Sequence, residues 1–228
     1  MDIETSLCEK MHGVSASDVE KEDGEGFRLV VLASGNGSNL QAIIDGLHGR
    51  KGIEVVGVGS DKPDAFALER ARSEGIPTAV FPVADHPNRS ARDDAMAEWA
   101  LEKRADLVVL AGYMALLTPG FVERFRNRVV NVHPSLLPSF PGLDAIGQAI
   151  DAGVRVTGVT VHFVDEGTDT GPVIVQRAVE VESGMGRDEL EEAIHAVEHE
   201  LFPEAIGMIA AGRVRIADDD PNRVVIDQ

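Results

Sequence analysis

The feature that most restricts this chain is a repeated unit: a short, nearly continuous apolar run, a turn, then a stretch with helical spacing. Phe27-Arg28-Leu29-Val30-Val31-Leu32 leads into Ser34-Gly35-Asn36-Gly37-Ser38-Asn39, after which Leu40, Ile43, Ile44 and Leu47 recur along one helical face. The unit returns as a strand over Ile53 to Val58 and a helix from Ala65 to Ser73, ended by Gly75. A short strand over Pro77 to Phe81 precedes a helix from Arg89 to Arg104, for which Asn88 is the cap. Asp106-Leu107-Val108-Val109-Leu110, a loop over Ala111 to Leu117 and a short helix from Pro119 to Phe125 then lead to the apolar pair Val129-Val130. Strands that are apolar along their whole length are buried on both faces, and their alternation with helices makes them parallel neighbours. The expected class is α/β: one Rossmann-like domain with a mostly parallel, twisted sheet and helices on both faces.

The pattern changes after Ala145. Two longer strands, Val156 to Val164 and Pro172 to Val181, are joined by Asp165-Glu166-Gly167-Thr168-Asp169-Thr170-Gly171. A long helix from Arg187 to Ala211 and a short strand over Arg213 to Ile216 follow. No solenoid repeat or dividing linker is present, so a single domain over 27–217 is expected among the 228 residues. Residues 1–26, polar and without period, read as a disordered extension, and 218–228 as a C-terminal tail.

The composition narrows the function classes. A net charge of −18 argues against nucleic acid as a partner, because phosphate backbones require a basic face. It leaves room for a small anion, which a helix N-terminus can hold inside an acidic protein. No apolar run approaches the roughly 18 residues of a membrane span. One cysteine excludes an internal disulfide and suits a reducing compartment, so a cytoplasmic protein is expected.

Candidate chemistry gathers at Asn131-Val132-His133-Pro134-Ser135-Leu136-Leu137-Pro138. Asn131 and His133 are two apart on a strand, so both point to one face, and Pro134 ends the ladder just beyond them. Open α/β sheets place ligands at such strand tips. An amide donor suits a developing oxyanion, and a carboxylate such as Asp169 beside the imidazole would favour its charged form. The glycine turn Ser34–Asn39 offers freed N–H groups to an anion, and a monophosphate suits it best. A dinucleotide site, with Asp61 on a ribose, is the weaker reading because Leu40 stands where a third glycine belongs. His195-Ala196-Val197-Glu198-His199 matches a zinc-protease pattern, but few carboxylates follow it, and no metal is expected. Arg89, a cation in a first helical turn, is a candidate anion contact.

Together, the Ser34–Ile43 turn and helix, Ala111-Gly112-Tyr113-Met114, Asn131–Pro138 and Asp169-Thr170-Gly171-Pro172 resemble the folate-dependent formyltransferases. The Ser-Gly-x-Gly-Ser-Asn turn resembles their glycinamide ribonucleotide branch, and the resemblance runs from Phe27 to Ile216. It implies a formyltransferase fold and transfer of a formyl group from 10-formyltetrahydrofolate to a glycinamide ribonucleotide, with small molecules as partners and a homodimer among the allowed assemblies. It further implies that Asn131, His133 and Asp169 are catalytic, and that Gly37, Ser38, Asn39 and Glu198 hold the ribonucleotide. Arg89, Met114, Ala115, Leu116 and Leu117, with Asn131, would line the folate pocket. Two departures stand out. Ala115 replaces a basic residue common in the family, and Leu143-Asp144-Ala145-Ile146-Gly147 lacks the usual His and Arg. A formyltetrahydrofolate hydrolase would be expected to carry a further N-terminal domain, and a methionyl-tRNA formyltransferase a basic C-terminal one. A nucleotide-binding protein without chemistry would explain the glycine turn alone.

Overall fold

The computed structural model describes residues 26–227. The expectation of a disordered 1–26 therefore lies, Gly26 apart, outside the described residues.

The strand–turn–helix reading becomes β1 (Phe27–Leu32), α1 (Ser38–Leu47), β2 (Ile53–Ser60), α2 (Phe66–Ser73), β3 (Thr78–Val80), α3 (Arg89–Glu102), β4 (Leu107–Leu110), α4 (Pro119–Arg124) and β5 (Val129–His133). These are followed by α5 (Ala145–Asp151), β6 (Val156–Phe163), β7 (Val173–Glu180), α6 (Arg187–Ala210), β8 (Val214–Ala217) and β9 (Asp220–Ile226). Seven strands form one sheet in the order β3-β2-β1-β4-β5-β6-β7. Its first five strands are parallel, whereas β6 runs antiparallel to both β5 and β7.

The two-residue period of the strands divides the core. Leu29 and Val31 of β1, with Leu107 and Val109 of β4, pack in a cluster with α1, α2 and α6. Val30, Leu32, Val108 and Leu110 face the other way, toward α3 and α4. Each strand thus buries both rows of side chains, as its unbroken apolar sequence requires. Within the second cluster Trp99 meets Phe81 edge-on at 5.6 Å between ring centroids, and Phe202 is buried in the first.

Direction reverses between β1 and β4, since β2 and β3 lie to one side of β1 and β4 to β7 lie to the other. The turn after β1 and the loop after β4 therefore face each other at a topological switch point, where ligands enter such sheets. One expectation is corrected here. The stretch expected as a tail from residue 218 carries β9 instead, which pairs antiparallel with β8, Val214 opposite Ile226 and Ile216 opposite Val224. Asp218 and Asp219 form the turn between the two strands, and at the start of β9 the Asn222 N–H donates to Asp220 Oδ1 at 2.9 Å.

Candidate active site

Val129 of β5 belongs to the α3/α4 side of the core, and the alternation turns Asn131 and His133 to that same side. Val130 and Val132 anchor the strand in the opposite cluster. In the antiparallel pairing, Asn131 lies opposite His162 and His133 opposite Thr160. Cross-strand partners share a face, so four polar side chains form a patch where the apolar layer ends.

The hydrogen bonds fix its parts. His133 Nε2 is 2.8 Å from the Phe140 carbonyl, which assigns the Nε2 hydrogen and leaves Nδ1 toward Asp169 Oδ2, 3.4 Å away. The second anchor of Asp169 is the Gly142 N–H, which donates to Oδ2 at 2.7 Å. The loop 140–142 thus holds both partners, through a carbonyl on one side and an amide on the other. Asp169 is carried in a turn where Gly171 is required: a Cβ there would lie 1.9 Å from the Phe163 carbonyl oxygen. Asn131 Nδ2 lies 3.2 Å from His162 Nε2, and His162 Nδ1 is 2.8 Å from the Phe163 carbonyl. Burial pushes the His162 imidazole below its ordinary value of 6.5, against the smaller pull of Phe163 and Asp169. His162 is then neutral, donating from Nδ1 and accepting one Asn131 N–H at Nε2. The second Asn131 N–H is left for a ligand.

On the α1 side, Gly37 begins the helix in the left-handed region, φ 75°, with no side-chain cap. A Cβ there would approach Ala67 Cα and Cβ to 2.8 and 2.7 Å, so both conformation and space demand glycine. Ser38 and Asn39 follow in the first turn. The Asn39 side chain is drawn inward, its Nδ2 donating to Glu198 Oε2 at 2.8 Å. Burial pushes the Glu198 carboxyl above the usual carboxylate range, with Asn39, His195 and His133 pulling partway back. Asn39 Oδ1 is buried without a hydrogen-bond partner. A buried acceptor without a donor, beside a buried carboxyl, suits a ligand that donates hydrogen bonds, and the first-turn N–H groups after Gly37 remain open to an anion. The influence of His133 on Glu198 places this subsite within electrostatic reach of the β5 patch.

Beyond β4, Met114 and Leu116 are exposed at 61% and 59%, while Ala115 and Leu117 pack against the α3/α4 cluster. Arg89 is exposed at the first position of α3, behind the Asn88 cap that accepts from Ala91 N–H at 2.9 Å. His195 and His199 stack on α6 with ring centroids 6.2 Å apart. Among the described residues no group of three or more His, Cys, Asp or Glu side chains could hold a metal ion.

The structure thus brings together Asn131, His133 and Asp169, and joins Asn39 to Glu198. It adds His162, which stands outside the motifs singled out in the sequence, although Val159-Thr160-Val161-His162-Phe163 alternates as clearly as the β5 run. The departing segment 143–147 is also explained. Asp144 caps α5 through the Gly147 N–H and pairs with Arg187, while Gln148 Nε2 donates to the Pro141 and Leu143 carbonyls. The β8–β9 hairpin contributes Asp220, Asn222, Arg223 and Val224 to a cavity of about 650 Å³ whose wall includes Asp169.

Known proteins resemble this chain over most of its length. A family model described as formyl transferase matches residues 27–206. The phosphoribosylglycinamide formyltransferase of Bacillus subtilis is 41% identical over 180 residues, covering 78% of this chain and 92% of that protein. The trifunctional purine biosynthetic protein adenosine-3 of Drosophila melanogaster is 45% identical over 195 residues, which are 84% of this chain but only 14% of that protein. The crystal structure of glycinamide ribonucleotide transformylase 1 from Symbiobacterium toebii superposes with a TM-score of 0.85 at 47% identity, covering 90% of this chain and 96% of that one. With most of its length matched and the polar patch at the expected strand tip, the chain belongs to the formyl transferase family.

Proposed function

We propose that the protein transfers the formyl group of 10-formyltetrahydrofolate to the amine of 5-phosphoribosylglycinamide, a step of purine biosynthesis. The observation that carries this reading is the Asn131–His133–Asp169 cluster at the C-terminal tip of β5, with Nδ1 and carboxylate 3.4 Å apart.

The ribonucleotide fits the α1 side. Its phosphate suits the open backbone amides after Gly37, and its ribose hydroxyls supply the donor that Asn39 Oδ1 lacks beside the Glu198 carboxyl. The folate fits the loop after β4. Among the described residues, the N–H groups of Ala115, Leu116 and Leu117 donate to no protein acceptor, so they form a free ribbon for a heterocycle. Ala115 supplies backbone there without a charged side chain, and Arg89 offers a cation to an acidic tail.

The folate supplies an activated formyl carbon; the protein supplies position and charge. The free Asn131 N–H donates to the negative charge that develops on the formyl oxygen as the amine attacks. His133 carries its mobile proton on Nδ1, because Nε2–H is committed to Phe140. As the amine nitrogen bonds to the formyl carbon it gives up a proton, and the bond from that carbon to the folate nitrogen breaks. The His133–Asp169 pair relays the proton from the amine to the leaving nitrogen. No step requires a metal or a covalent enzyme intermediate. In this reading the enzyme acts on small molecules in the cytoplasm.

Incubating the full-length protein with 10-formyltetrahydrofolate labelled with ¹³C in the formyl group, together with the ribonucleotide, tests the reading. The label is expected as a formamide on the glycinamide nitrogen. Label recovered only as free formate would assign a hydrolase, and untouched substrate would refute catalysis.

A further inference from the structure

Asp61 is a residue to which the proposed reaction gives no task. It does not await a ribose, because Ser34 Oγ donates to its Oδ1 at 2.6 Å. The same hydroxyl, 3% exposed as part of Ser34, accepts the Met114 N–H at 2.9 Å, and the Ser34 N–H donates to the Gly112 carbonyl at 3.1 Å. The turn after β1 is thereby tied twice to the loop after β4, across the switch point of the sheet.

The far end of that loop is held in the same way. Thr118 N–H donates to Asp93 Oδ2 at 2.7 Å, and Asp93 Oδ1 receives Arg92 Nε and Nη2 at 2.9 and 2.7 Å. Asp93 and Arg92 are 0% and 1% exposed, so this buried ion pair has no solvent role. Between the anchors lies a ribbon with no internal hydrogen bonds and with two large apolar side chains facing water. Such a segment would sample many conformations if it were released.

We propose that Ser34, oriented by Asp61, is a positioning residue for the co-substrate: it fixes the Met114 end of the loop against the Asp93 anchor, so that the Ala115–Leu117 peptides are presented in a binding geometry. This rests on the folate reading of that loop. Asp61 makes the serine hydroxyl donate away from the loop, which directs its lone pair at the Met114 N–H. Removing the hydroxyl leaves a buried amide without an acceptor and frees the ribbon at one end.

Two readouts on full-length protein test this. In hydrogen exchange, the Met114 amide is expected to be protected in the wild type and in Asp61→Asn, whose amide oxygen still accepts from Ser34. It is expected to exchange rapidly in Ser34→Ala and in Asp61→Ala. In steady-state kinetics, Ser34→Ala is expected to raise KM for 10-formyltetrahydrofolate about tenfold. KM for the ribonucleotide should move less, and Asp61→Asn should behave as wild type. Should Ser34→Ala fail to fold, Asp61→Ala carries the same test from a partly exposed position. Loosened exchange with an unchanged folate KM, or an equal rise in both KM values, would overturn the proposal. A wild-type protein that neither binds nor consumes the folate would overturn the functional reading instead, whatever the exchange shows.

Discussion

The two halves of the sheet do different work with different parts of the chain. The parallel half offers backbone: the amides after Gly37, and the ribbon after β4 held between Ser34 and Asp93. The antiparallel edge offers side chains, since β5, β6 and the turn between β6 and β7 bring Asn131, His133, His162 and Asp169 together. Backbone sites tolerate changes of side chain so long as the conformation survives. Side-chain sites do not tolerate loss of the group. Ala115 can therefore take part through its peptide alone, and Asp144, in the segment that departs from the family resemblance, instead caps α5 and binds Arg187.

The comparison fails if mutations in the two halves have the same kinetic signature. The largest effect belongs to the antiparallel edge: Asn131→Ala is expected to lower kcat by about 100- to 1,000-fold, with both KM values nearly unchanged. Asp169→Asn follows, with a loss of about 100-fold in kcat and little change in ribonucleotide affinity by calorimetry. A loss that fell mainly on KM would move either residue from chemistry to binding. In the parallel half, Gly37→Ala should cost about 1–3 kcal/mol of stability in denaturant melts, since it strains a left-handed residue against Ala67. Protein that still folds should show a raised ribonucleotide KM with kcat largely kept.

The smaller effects concern pH. His162 has a folded-state value below its unfolded 6.5, so the unfolded chain binds more protons between those two values. Its contribution is complete above pH 6.5 and is lost as pH falls toward the folded value. His162→Gln should flatten that part of the stability curve. Glu198 has the opposite sign: raised on folding, it lowers stability as pH rises from the unfolded carboxylate range through the folded value. Glu198→Gln is therefore expected to melt higher near neutral pH, to match the wild type in acid, and to bind ribonucleotide more weakly. The smallest effect is that of Asp144→Ala, which lies on an exposed ion pair and should leave turnover within about twofold.

The division also shows what could be read from residues alone. Unbroken apolar strands and helical spacing give the parallel half, because each signal is local and both faces of every strand are buried. Asn131 and His133 follow from the period of a single strand. His162 obeys the same period, yet its place beside Asn131 depends on the register between β5 and β6, which is a property of two strands. The Ser34–Met114 tie depends likewise on the order of β1 and β4. The β9 strand was hidden by Pro221 among aspartates, which a hairpin edge tolerates and a central strand does not.

The most direct test of the account follows tetrahydrofolate release by the purified protein from 10-formyltetrahydrofolate, with and without 5-phosphoribosylglycinamide, beside a His133→Ala control. The account predicts release that requires the ribonucleotide and disappears in the control. Release without the ribonucleotide, or release that survives the loss of His133, would contradict it.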